Sequence, residues 1–233
     1  MTARRGRYSA GQETRVLLVE TAERLFAQRG YDAVTLAEIR SAAGQHNASV
    51  IGYYFGSKEK LLEAVLEHRL PAVNAHRERM IGERRTADGR LTVRDALWCL
   101  VQPLADSVRE GNHYVGLLDR LLDAEILGSV FGSADPTVTA SGLAVDQALR
   151  EALDDLRDEV RLQRIMMVYE SALRTLARIA RSSGSPDRGE LSACIDAWVG
   201  LLRAPTSDET SVRAPTPECS RLGASVSASS VGA

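Results

Sequence analysis

The chain has 233 residues, of which 44% are hydrophobic and 26% are charged. This composition is typical of a globular protein and excludes collagen-like, disulfide-scaffold and wholly disordered classes. At this length one or two domains are expected. Aromatic residues make up only 5% of the chain, and the abundance of Ala, Leu, Arg and Glu favours helix over strand. The net charge of −2 gives the chain as a whole no bias toward a polyanionic partner.

Charge is unevenly distributed along the chain. Residues 1–60 carry nine basic and six acidic residues (net +3), whereas the remainder carries twenty and twenty-five (net −5). The first quarter is therefore the basic part. Three widely spaced cysteines fit neither a disulfide framework nor a metal site and favour a reducing compartment. Because no signal peptide and no run of about 18 apolar residues is found, we expect a cytoplasmic protein without a membrane span.

Hydrophobic spacing predicts helices in close succession near the N-terminus. Residues 13–29 form an amphipathic pattern that Gly30 closes. Thr35 and Glu38 have the Ser/Thr-x-x-Glu spacing of a capping box, so a short second helix is predicted to start at Leu36.

The following turns and helices are predicted from Gly, Asn, Ser and Pro signals. Gly44 ends the second helix and a third begins near Asn47. Ser57 then caps a long fourth helix, which Pro71 is expected to kink or break.

Beyond residue 90 the pattern predicts helical runs separated by Gly- and Pro-containing loops. These runs cover about 91–110, 114–130, 138–157, 159–183 and 188–203. The apolar band of the run 159–183 is too wide for one buried stripe, so this helix is expected to be buried on more than one side. Residues 204–233 contain three of the seven prolines and no aromatic residue, which predicts a disordered tail.

The sequence contains no catalytic motif. Nucleophile elbows, dinucleotide and phosphate loops, His-Glu-x-x-His and Cys-x-x-Cys are all missing. The four histidines are scattered and predict no metal site, so neither an enzyme nor a cofactor is expected. The first 60 residues instead have helix-turn-helix spacing, in which a short helix holds the next one in the major groove of DNA.

These N-terminal residues resemble the tetracycline-repressor (TetR) family of transcription regulators. The resemblance rests on Ala22–Tyr31, Thr35–Gly44 and Tyr53–Leu62. It implies an all-α fold with a helix-turn-helix DNA-binding domain followed by a helical bundle for ligand binding and dimerisation. The expected parts are a flexible basic arm (1–11), the DNA-binding domain (12–72, with its second and third helices at about 35–55), the bundle (73–203) and the disordered tail (204–233).

The resemblance implies DNA contacts for six residues of this chain and leaves three more as candidates. They are Asn47, Ala48, Ser49 and Gly52 in the groove, Tyr53 and Lys58 on phosphates, and Thr35, Arg40 and Tyr54 as further candidates.

Several of these assignments have structural alternatives. Asn47 and Thr35 can equally cap helices, and Tyr54 can belong to the hydrophobic core. Arg40 stands where the family usually has a small residue, and it either reaches a phosphate or alters the packing locally. The turn after Gly44 is one residue longer than the commonest family form, which leaves the register of the base-reading residues open.

The resemblance also implies a ligand pocket and a dimer interface in the bundle. Pocket candidates are Trp98, Cys99, Gln102, His113, Tyr114, Met166 and Tyr169, and interface candidates are Met167, Leu173, Leu176 and Trp198. The function implied is a homodimeric repressor that a largely apolar small molecule releases from a palindromic operator in double-stranded DNA. The alternative is a relative that has lost specific DNA binding and binds small molecules or proteins.

Overall fold

The computed structural model describes residues 2–132, 136–182 and 184–212, and within these ranges the chain forms α-helices and no strand. The predicted all-α fold is confirmed. The helices are α1 (Thr2–Arg29), α2 (Leu36–Ala42), α3 (Val50–Tyr54), α4 (Lys58–Arg84), α5 (Val93–Arg109), α6 (Tyr114–Asp123), α7 (Leu127–Gly132), α8 (Pro136–Ala152), α9 (Asp158–Arg181), α10 (Arg188–Arg203) and α11 (Asp208–Val212). No helix in the described ranges has the length and apolarity to cross a membrane.

The helix ends follow local signals in the sequence. Gly30 ends α1 with a φ of +88°, a left-handed conformation that glycine adopts without strain. Ser57 caps α4, because its hydroxyl accepts a hydrogen bond from the Lys60 amide at 3.2 Å.

Two hydrophobic cores meet at α6. The first packs α1 to α4 around residues such as Phe26, Ile39 and Leu61, all fully buried. The second holds α4, α5, α6, α8, α9 and α10 together. Leu117 and Leu121 of α6 belong to the first core, whereas Tyr114 and Leu118 belong to the second. The helix α6 therefore joins the N-terminal helices to the bundle.

Two helices are longer than the sequence predicts. The helix α1 begins at Thr2, so residues 2–11, expected as a flexible arm, continue it. The helix α4 is not broken at Pro71 but runs through it to Arg84. Pro71 is exposed, so solvent can hydrogen-bond the carbonyl that proline leaves without a donor.

The predicted run 114–130 is divided into α6 and α7. Glu125 between them has a φ of 58°, and the Ile126 amide bonds back to the Leu121 carbonyl at 3.1 Å. No Gly or Pro marks this break, which is why the sequence pattern did not show it.

The C-terminal unit starts at Arg203 and is distinct from the compact unit that ends at Leu202. Its described part contains α11, where the Ser207 hydroxyl accepts a hydrogen bond from the Thr210 amide at 3.3 Å. Residues 213–233, most of the tail predicted to be disordered, lie outside the described residues.

Candidate nucleic-acid interface

The short helix α3 has one buried and one exposed face. Val50 and Ile51 are buried in the N-terminal core, whereas Ser49, Gly52 and Tyr53 are exposed. Residues three and four apart lie on the same side of a helix, so these three form one outward face. Tyr53 is 82% exposed, which is unusual for so large a side chain.

The third helix starts later than predicted. It begins at Val50, and Asn47 lies in the turn before it. The Oδ1 atom of Asn47 accepts hydrogen bonds from the amide (3.0 Å) and hydroxyl (2.8 Å) of Ser49. Asn47 thus caps this turn through its carbonyl oxygen, and its Nδ2 donates to no acceptor in the ranges that the structure describes. Ala48 lies beside it, also exposed.

Arg40 is half-buried and braces the longer turn between α2 and α3. Its Nη1 donates to the carbonyls of Gln45 (2.9 Å) and His46 (3.3 Å). Loop carbonyls without strand or helix partners need such donors. The guanidinium is therefore used within the protein, and of the two interpretations of Arg40 the geometry favours a local change in packing.

Thr35 forms the predicted capping box at the start of α2. Its hydroxyl accepts from the Glu38 amide at 3.2 Å, and the Glu38 carboxylate accepts from the Thr35 amide at 2.8 Å. The Thr35 hydroxyl also donates to the Glu38 carboxylate at 2.8 Å. The two bonds from Thr35 to the carboxylate, together with Arg29 at 2.9 Å, lower the pKa of Glu38 to about 2. The side chain of Thr35 is committed to the cap.

Lys58 and Lys60 differ in their surroundings. The Nζ of Lys60 pairs with Glu63 at 2.6 Å. The Nζ of Lys58 instead lies 4.3 Å from the ring centroid of Tyr31, in a cation–π arrangement. Among the described residues no carboxylate lies within ion-pairing distance of Lys58, so its charge remains available for a phosphate.

Tyr54 packs against the N-terminal core and is not part of the exposed face of α3. It is half-buried against the N-terminal core, and its hydroxyl lies 3.4 Å from the position a Cβ would take at Gly11. The ring of Tyr53 packs edge-on against it with centroids 5.0 Å apart. Tyr54 thus supports the exposed Tyr53 from behind.

A buried carboxylate that no sequence motif marks joins the N-terminal helices to the bundle. Glu23 of α1 is 1% exposed. Its Oε2 accepts from Arg69 Nε of α4 at 2.7 Å, and its Oε1 accepts from the His113 amide at the start of α6 at 2.7 Å. Glu23 follows Val19 by four residues and precedes Phe26 by three, so helical spacing already places it on the buried face of α1.

The predicted pocket residues are only partly brought together. Tyr114 and Trp98 are buried in the bundle core, and Tyr169 packs against it with its hydroxyl on Asp146 at 3.1 Å. Gln102 is half-buried and donates to Asp106. His113 and Met166 are exposed and so lie outside the bundle core that contains Tyr114 and Trp98.

The predicted interface residues also divide into two groups. Leu176 and Trp198 are buried within the single chain, where Trp198 Nε1 donates to Ser171, so they cannot line an exposed face. Met167 is 48% exposed and Leu173 half-buried. The helix α9 also exposes Leu162 and Met166.

The comparison with protein families identifies the N-terminal helices. A sequence model described as bacterial regulatory proteins, tetR family, matches residues 18–65, which include all of α2 and α3. The chain carries a TetR-family DNA-binding domain. Proteins of this family are transcription regulators and not enzymes.

Among the described residues, no cluster of three or more His, Cys, Asp or Glu side chains is arranged to hold a metal ion.

The chain was also compared with solved structures, and three of the matches follow. A putative TetR-family transcriptional regulator from Mesorhizobium loti is 20% identical with a TM-score of 0.47, covering 82% of this chain and 96% of its own. Salmonella enterica GusR is 16% identical with a TM-score of 0.46, and the match covers 82% of this chain and 95% of GusR. A gamma-butyrolactone receptor (ArpA-like protein) is 20% identical with a TM-score of 0.43, and the match covers 82% of this chain and 97% of the receptor. No curated protein sequence matches the chain significantly.

Proposed function

We propose that this TetR-type regulator is a homodimeric repressor that a small molecule releases from a palindromic DNA operator. The observation that carries the proposal is the outward face of α3, formed by Ser49, Gly52 and Tyr53. This face is solvent-exposed while the opposite side of the same helix is fixed in the core. Such a helix can enter the major groove without disturbing the fold.

The chemistry of this face fits DNA. Asn47 and Ser49 offer hydrogen-bonding groups suited to base edges, and Gly52 has no side chain to separate the helix backbone from the bases. The hydroxyl of Tyr53 can donate a hydrogen bond to a phosphate oxygen, and the positive charge of Lys58 can pair with a phosphate. The roles of Thr35 and Arg40 are within the protein, in the cap and in the turn.

A homodimer is supported by α9. Leu162, Met166 and Met167 are 44–48% exposed, an apolar set that a second copy would remove from water. A two-fold dimer presents two recognition helices to the two halves of a palindrome.

The link between the ligand and DNA is supported by α6. This helix contributes to both hydrophobic cores, and Glu23 ties His113, the residue just before it, to α1 and α4. A ligand that favours another position of α6 would therefore shift the population of DNA-binding conformations.

The test measures binding to an inverted repeat from the DNA upstream of the coding region by fluorescence anisotropy. A Cβ atom added at Gly52 would meet no other atom of the protein within 4 Å, and a larger side chain there would project toward the proposed groove-facing side. We expect Gly52→Leu to keep or raise the melting temperature, since Leu has the higher helix propensity, and to abolish DNA binding. Gly82→Leu on α4 is the matched control, because that position is equally open.

Wild-type affinity should also fall steeply with salt as counterions are released from phosphates. Wild-type affinity retained by Gly52→Leu would show that DNA does not approach this face. A wild-type protein that binds none of its upstream DNA would favour the alternative of a binding module without operator recognition.

A further inference from the structure

The turn between α2 and α3 carries two of the side chains proposed to reach base edges. It spans residues 43–49, and in it Asn47 Oδ1 accepts hydrogen bonds from the amide and the hydroxyl of Ser49. The amide of Val50, the first residue of α3, bonds to the Asn47 carbonyl at 3.2 Å. The position of Asn47 therefore determines where Ser49 and the first turn of α3 lie.

Arg40 of α2 holds the first half of this turn through both its side chain and its backbone. Its Nη1 donates to the carbonyls of Gln45 at 2.9 Å and of His46 at 3.3 Å. Its own carbonyl accepts from the Gln45 amide at 3.0 Å. Both backbone polar groups of Gln45 are thus bonded to Arg40, and the His46 carbonyl belongs to the peptide group that leads into Asn47.

Arg40 itself is held in place by α2. The preceding residue, Ile39, is fully buried, and the capping box of Thr35 and Glu38 closes the first turn of the helix. Arg40 is half-buried and lies in the last turn of α2, where the helix dipole favours a positive charge. Its planar guanidinium presents donors in a fixed geometry, so the position of α2 is passed on to the turn.

Packing alone does not fix the second half of the turn. Residues 46–49 are all exposed, so their conformation depends on the hydrogen bonds that Arg40 and Asn47 make. A hydrogen bond to a base edge is formed only within a narrow range of distances and angles. A small displacement of this turn would therefore be enough to break contacts made by Asn47 and Ser49.

We propose that Arg40 is a positioning residue for sequence recognition, which holds the turn so that Asn47 and Ser49 meet base edges. The inference rests on the proposed function and deepens it, because Arg40 then acts on specificity without touching DNA. A residue that contacts a phosphate strengthens binding to all sequences alike. A residue that orders base-reading groups strengthens binding to the operator alone, and this difference separates the two roles.

The experiment compares the full chain with Arg40→Met, which removes both side-chain bonds to the turn and keeps an unbranched residue suited to a helix. Binding to the upstream inverted repeat and to a scrambled duplex of equal length is measured by fluorescence anisotropy at several salt concentrations. We expect about tenfold weaker binding to the repeat, as for the loss of one good base contact. Affinity for the scrambled duplex should stay within about twofold of wild type, because a charge that touches no phosphate acts only through screened attraction. The slope of log affinity against log salt should also be unchanged, since no phosphate contact is lost.

Arg29→Met is the matched control. Arg29 also donates to a turn carbonyl, that of Ala33 at 3.0 Å, but this turn lies between α1 and α2. Because Arg29→Met also removes the pair with Glu38, it should lower the melting temperature at least as much as Arg40→Met. We expect it to leave the ratio of repeat to scrambled affinity unchanged, so a loss of specificity confined to Arg40→Met would not come from instability. Arg40→Ala, with the highest helix propensity, should reproduce Arg40→Met.

A measurement without DNA decides whether the turn depends on Arg40. The backbone order parameters of the Asn47 and Ser49 amides, obtained from NMR relaxation, should fall in Arg40→Met but not in Arg29→Met. Unchanged order parameters, equally weaker binding to both duplexes with a smaller salt slope, or the same loss of specificity in Arg29→Met would each overturn the proposal. A wild-type chain that binds neither duplex would contradict the proposed function and with it a role in recognition, whereas the order parameters would still decide whether Arg40 holds this turn.

Discussion

Replacing Glu23 by Gln tests whether the buried junction of α1, α4 and α6 holds the two cores together. Gln keeps the shape and an oxygen that can accept from the His113 amide, but it removes the charge that pairs with Arg69. Breaking a buried ion pair by removing one partner costs about 3–5 kcal/mol. Arg69 is 22% exposed and has Glu20 at 3.9 Å, so part of its charge would still be compensated.

We therefore expect Glu23→Gln to lower the free energy of unfolding by about 2–3 kcal/mol. For a chain of this length each kcal/mol corresponds to roughly 2–4 °C in melting temperature. A decrease of about 5–10 °C is expected in calorimetry, together with a lower urea midpoint at unchanged slope.

The matched control is Glu20→Gln. Glu20 lies on the same helix and also faces Arg69, but its side chain is 49% exposed. An exposed pair contributes at most about 1 kcal/mol. If Glu23→Gln destabilised the protein no more than Glu20→Gln, the view that this junction depends on a desolvated ion pair would be wrong.

Two further predictions concern α2 and α9. The pKa of Glu38 is about 2 in the folded protein, below its ordinary value. The ionised Glu38 carboxylate therefore stabilises the fold above about pH 4.5, and this contribution is lost as the pH falls toward 2. The melting-temperature difference between wild type and Glu38→Gln should shrink over this range, and a constant difference would contradict the prediction. Met166→Arg should convert the proposed dimer to monomer in sedimentation velocity by placing a charge in the proposed interface, whereas Leu143→Arg, at a similarly exposed apolar position on α8, should not. Identical behaviour of the two variants would place the interface elsewhere.

The sequence alone determined the features that depend on neighbouring residues. The capping box of Thr35 and Glu38, the left-handed Gly30 and the Ser57 cap all act within four residues, so spacing reveals them. Helical periodicity likewise predicted most of the helices along the chain. The prediction that residues 47–53 face DNA came from family resemblance, and the structure places Asn47 in the turn before α3.

Only the tertiary structure decided which helix covers each apolar face. Spacing shows that Met166 and Leu176 lie on an apolar helix but not that the first is exposed and the second buried. The partners of Glu23 lie 46 and 90 residues away along the chain, and Arg77 meets Ser141 across 64 residues. Such contacts depend on how α4, α5, α6 and α8 pack against one another, and periodicity within a single helix carries no information about that packing.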